Sequence, residues 1–88
     1  MITVAEIRNT CSACPAQWEG KTDDGRWVYI RLRHGCFRIG IGETLDDAIR
    51  SYYWGQQSEV LDGFMSYEQL KELTSGILNL PEMETECP

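Results

Sequence analysis

Cys11, Cys14, His34 and Cys36 are the residues of this 88-residue chain best suited to hold a metal or to do thiol chemistry. Zinc takes four such ligands in a tetrahedron, and a Cys-x-x-Cys pair supplies two of them from a single turn. The second half of the pattern is incomplete, because His34-x-Cys36 leaves one residue between ligands where a zinc site normally leaves two to four. The simpler reading places two thiols on the core side of a helix and the histidine in a turn, and no metal or cofactor is expected. A thioredoxin-like role is disfavoured, since that chemistry needs the thiols at a helix N-terminus, where the dipole lowers the thiol pKa. The helix expected here ends at the pair.

Other catalytic chemistry has little to draw on. His34 is the only histidine, so a general base would be this residue or a carboxylate. Ser12 and Cys36 have no evident third group to orient them. The adjacent pairs Asp23-Asp24 and Asp46-Asp47 diverge on any regular element and do not form a dyad. No glycine-rich loop precedes a lysine, so a phosphate-cradling loop is unsupported. The chain reads as a binding protein rather than an enzyme.

Two surfaces could bind. Trp27, Tyr29, Arg31, Arg33 and Arg38 alternate with apolar residues and combine flat rings with guanidinium groups. Such a face can stack unpaired bases while arginine neutralises phosphates, although arginine stems also pack over aromatic rings with no ligand present. The second surface is acidic. Ile41 to Pro88 holds ten acids against Arg50 and Lys71, whereas Lys21 to Gly40 carries five bases against two acids. Glu43, Asp46, Asp47, Glu59, Asp62, Glu68 and Glu72 fall on or beside two expected helices. Carboxylates in a row can occupy a groove built for a phosphate backbone, and acids also serve as helix caps and solubilising charge. The net charge of −6 opposes long-range attraction to nucleic acid. The acidic helices are therefore the leading partner-binding surface; the alternatives are the arginine face, as a single-strand nucleic-acid binder, and a small zinc-stabilised adaptor built on Cys11, Cys14, His34 and Cys36.

The elements that would position these groups follow from caps, turns and periodicity. Thr3-x-x-Glu6 has the form of a capping box and predicts a helix from about Val4, with Val4, Ile7 and Cys11 on its apolar face, ending before Pro15. Asp23-Asp24-Gly25 is a hairpin signal. Trp18 to Thr22, Arg26 to Arg33 and Cys36 to Ile41 then form a three-stranded antiparallel meander whose core face holds Val28, Ile30, Leu32, Phe37, Ile39 and Ile41. Thr44 and Asp47 open a second helix through Tyr52 and Tyr53 that stops at Gly55. Val60 to Met65 reads as a loop or a short strand. Ser66 to Gln69 is another capping box, opening a third helix that Gly76 ends. The expected fold class is α+β: a leading helix, the meander, and two further helices packed on one sheet face. Residues 1–78 would form one domain and residues 79–88 an acidic tail.

Composition agrees with a folded chain, at 42% hydrophobic and 25% charged residues. No apolar run is long enough for a membrane helix. The first residues lack the basic and apolar regions of an export signal, so a cytoplasmic setting with reduced thiols is expected.

Cys14-Pro-Ala-Gln-Trp-Glu-Gly20, Asp24-Gly-Arg26, Tyr29-Ile-Arg-Leu-Arg33 and Gly35 together resemble a motif of small proteins encoded by phages and other mobile elements, among which are anti-CRISPR inhibitors. The resemblance covers about a third of the chain and centres on the hairpin. It implies an inhibitor that binds a host protein, such as a CRISPR effector complex, at its nucleic-acid or subunit surface. It carries no functional residues with it.

Overall fold

The computed structural model describes residues 2–11, 16–33, 35–57 and 66–82. They form β1 (Ile2–Cys11), β2 (Ala16–Thr22), β3 (Trp27–Arg33), β4 (Cys36–Gly42), α1 (Leu45–Arg50), β5 (Trp54–Gln57), α2 (Tyr67–Leu73) and β6 (Leu78–Asn79). The strands make one curled six-stranded sheet in the order β5-β4-β3-β2-β1-β6. Neighbours are antiparallel except for β1 and β6.

The meander expected from alternation is the centre of this sheet. Its ladder sets Trp18, Ile30 and Ile39 side by side, with Ala16, Leu32 and Phe37 in the next inward row. All six are buried, and Val4, Ile7, Val28, Leu70 and Leu78 belong to the same core. Trp54 meets Phe37 edge-on, with ring centroids 5.9 Å apart. Each large side chain removed from water in this way contributes roughly 1.5–3 kcal/mol.

The leading helix does not exist; the segment is β1. Val4 and Ile7 do share a face, but a bulge at Ala5 puts them there. Val4 pairs with Thr22 and Ile7 with Gly20, leaving Ala5 and Glu6 opposite Lys21 alone. An extra residue in a strand thus produced the i, i+3 spacing that reads as a helix. Gly20 makes the bend possible, because a Cβ there would collide with the Glu6 carbonyl and crowd Ile7.

Two other expectations are also corrected. The second helix ends at Arg50, capped at Ser51, so Tyr52 and Tyr53 lie beyond it and Gly55 sits inside β5. The two helices lie on opposite faces of the sheet rather than on one. α2 delivers Leu70 to the inner core. α1 rests on the outer face, where Gly40 and Gly42 leave room for its backbone: a Cβ on Gly40 would strike the Ala48 carbonyl, and one on Gly42 would lie 2.7 Å from Ala48 N. The architecture is therefore mostly β rather than an α+β arrangement of three helices and a three-stranded sheet.

The helix expected after Ser66 is present as α2. The Ser66 hydroxyl accepts from the Gln69 N–H, and the Gln69 side chain accepts from the Ser66 N–H. Gly76 follows it at φ 86°. Beyond it, Leu78 and Asn79 pair with Ile2 and Thr3, and the Tyr67 hydroxyl donates to the Pro81 carbonyl at 2.6 Å. Val60 to Met65 and residues 83–88 lie outside the described residues. Among the described residues, no helix is long and apolar enough to cross a membrane.

Candidate binding surface

The outer face of the sheet carries the side chains that alternate away from the core. On β3 these are Trp27, Tyr29, Arg31 and Arg33. The fold uses the aromatic end of this row. Tyr29 lies opposite Gly40 and is only 6% exposed. Trp27 is half-buried, with Lys21 Nζ 4.7 Å from its ring centroid. These two rings are not an open stacking platform.

At the arginine end Arg33 is exposed, and Arg31 and Arg38 are half-buried. Arg31 stands directly across the ladder from Arg38, and Arg33 across from Cys36. The four line a shallow depression of ≈ 230 Å³. Arg38 Nη2 donates to the Ile49 carbonyl at 2.6 Å, which ties its guanidinium to the end of α1. Arg31 Nε is buried with no hydrogen-bond acceptor. The ion pairs among the described residues, Arg26 with Asp24 at 3.1 Å and Arg50 with Asp46 at 3.3 Å, involve none of these arginines.

Beside this depression lies an apolar strip that the sequence reading assigned to a helix. Ile49, Tyr52 and Tyr53 are the exposed large hydrophobics among the described residues, at 38%, 69% and 48% exposure. Their backbone is held firmly. The Tyr53 N–H donates to the Ile39 carbonyl at 2.8 Å, and the Ser51 hydroxyl both accepts from the Ile41 N–H and donates to its carbonyl, each at 2.9 Å. The Tyr52 ring lies over Gly55, which pairs with Arg38. The signal that could have found this strip is Tyr52-Tyr53-Trp54, three successive aromatics that favour strand over helix.

The acidic residues are divided. Glu43, Asp46 and Asp47 are exposed on α1 and its approach, on the outer face, while Glu68 and Glu72 are exposed on α2, which packs on the inner one. Glu59 and Asp62 lie outside the described residues. These five carboxylates thus fall into two groups on either side of the sheet.

Of the cysteine and histidine pattern, Cys14 and His34 lie outside the described residues, and Cys36 is an exposed free thiol. Cys11 belongs to β1 and Cys36 to β4, with β2 and β3 between them. Three strand spacings amount to about 14 Å of sheet, so the ladder does not bring these two together. Among the described residues, no three His, Cys, Asp or Glu side chains gather as metal ligands.

At the hairpin between β2 and β3, Asp24 accepts from the Thr22 hydroxyl and forms the ion pair with Arg26. The Thr22 bond first, and then the Arg26 bond, hold its carboxyl below the ordinary value of 3.8. This knot is structural, since Thr22 also accepts from the Arg26 N–H at 2.9 Å. No family model, curated protein or solved structure matches the chain.

Proposed function

We propose that this chain acts by docking on another protein, as a non-catalytic inhibitor, and that its contact surface is the Ile49, Tyr52 and Tyr53 strip with Arg31, Arg33 and Arg38 beside it. The observation that carries this reading is the adjacency of the exposed large hydrophobics to the arginines: Arg38 donates to the Ile49 carbonyl, and the Tyr52 ring lies over Gly55, which pairs with Arg38. Tyrosine and arginine are the residues on which binding energy concentrates at protein interfaces, and isolated exposed tyrosines need no explanation until they cluster. The acids of α1 border the strip and would meet basic groups at the rim, where charge governs association rate more than affinity.

The likeness of the hairpin to small phage-encoded inhibitors suggests the partner: a host nucleic-acid-handling complex such as a CRISPR effector. The contact differs from mimicry of a phosphate backbone by one continuous acidic surface, because the acids of α1 and α2 face apart. The test compares phage plating on a host with active CRISPR immunity, with the chain expressed as wild type, as Tyr52→Ser/Tyr53→Ser, and as Asp46→Lys/Asp47→Lys. Loss of protection in the tyrosine variant, with the folded state retained by circular dichroism, supports the strip. Protection that survives in the tyrosine variant but disappears in the lysine variant transfers the function to the α1 acids. No protection by the wild type removes CRISPR effectors as the partner.

A further inference from the structure

The arginine depression has a property that a protein contact does not require. Arg31 and Arg38 are direct cross-strand neighbours of like charge, an arrangement that destabilises a sheet unless something of opposite charge sits between them. Arg33 lies on the same outward row. No carboxylate among the described residues neutralises any of the three, and Arg31 Nε is out of water without an acceptor. Arg38 is pre-oriented by its bond to the Ile49 carbonyl, so a ligand would not have to order it.

We infer that Arg31, Arg33 and Arg38 form a binding site for the phosphate monoester of a nucleotide, with Tyr52 as the platform for its base. Three guanidinium groups around one depression exceed what a singly charged carboxylate would balance. A phosphate monoester carries close to two negative charges at neutral pH and three acceptor oxygens, and planar guanidinium groups bind such oxygens in pairs. The volume of ≈ 230 Å³ takes the phosphate and leaves the rest of the ligand on the surface. There it meets Tyr52, whose ring lies over the residue that pairs with Arg38 and is 69% exposed. An exposed ring beside a cationic site is the arrangement on which a base stacks. The site shares Arg31, Arg33, Arg38 and Tyr52 with the proposed protein contact, so a bound nucleotide would compete with the partner; it rests on the arginine geometry and not on that contact.

Calorimetric titration of the purified full chain at low salt with adenosine monophosphate, adenosine, inorganic phosphate and a phosphotyrosine peptide tests this. The monophosphate should bind more tightly than phosphate or adenosine, and more weakly below pH 6, where the second phosphate proton returns. Arg33→Gln, at an exposed position where folding is not at risk, should weaken binding by about tenfold, as expected for loss of one charge-assisted contact. Tyr52→Ala should erase the advantage over inorganic phosphate while leaving phosphate binding intact. Binding of adenosine as tight as of the monophosphate, tighter binding of the phosphopeptide, an unchanged Arg33→Gln affinity, or no heat with any phosphate would each overturn the assignment.

Discussion

At the scale of single residues, two side chains make sharp predictions. Trp18 is 1% exposed, and its indole N–H finds no acceptor. Truncation to alanine should cost about 3–5 kcal/mol through the cavity it leaves. Trp18→Phe should cost much less than alanine, because both remove the buried unpaired donor but phenylalanine leaves a far smaller cavity. Urea unfolding of the two variants checks the order, and equal losses would show that ring volume at this position carries no stability. Asp24 gives a pH signature. Its folded pKa lies below the unfolded value of 3.8, held there by Thr22 and Arg26. Its contribution is therefore fully present above 3.8 and fades as pH falls through the lower folded value. Acid unfolding of Asp24→Asn should be flatter than wild type as pH falls from 3.8 through that lower value, and parallel to it above 3.8.

At the scale of elements, the contact between α1 and the sheet depends on missing side chains. Gly40→Ala should lift α1 off β4, because the added methyl meets the Ala48 carbonyl, which belongs to backbone and cannot rotate away. A loss of about 1–3 kcal/mol is expected in thermal or urea unfolding. Ser51→Ala should cost a similar amount by stripping Ile41 of its hydrogen-bond partner where β5 no longer runs beside β4. The same elements show how far the sequence could be read. The meander and α2 were legible because alternation, turn glycine and capping box are local signals, each acting within a few residues. β1 reads as a helix from sequence because its bulge depends on the room left by Gly20, more than a dozen positions along the chain, and nothing in Ile2 to Cys11 declares it. The binding strip was missed for a related reason. Ile49, Tyr52 and Tyr53 fit a helical period, and only the cap at Ser51 and the ladder to β4 show that the helix stops short. The arginines were legible as a row, but which part of the row α1 covers was not.

At the scale of the whole molecule, no ion pair among the described residues joins the basic middle to the acidic second half. The ion pairs among the described residues join neighbours in sequence, Asp24 with Arg26 and Asp46 with Arg50. Moderate salt should therefore leave stability unchanged or raise it slightly as repulsion between Arg31 and Arg38 is screened. A midpoint in urea that falls steeply with added sodium chloride would indicate long-range attraction holding the fold together.

The parallel pair between Ile2–Thr3 and Leu78–Asn79 has a consequence for how the molecule is born. β1 is synthesised long before β6, its outer neighbour, so the sheet stays unsealed along that border until β6 has emerged. During that interval β1 offers bare amides to any passing strand, the hazard that closing pairs normally remove. A chain cut after Gly76 would keep that border open permanently, and it should self-associate while the intact chain does not, as light scattering of the two would reveal.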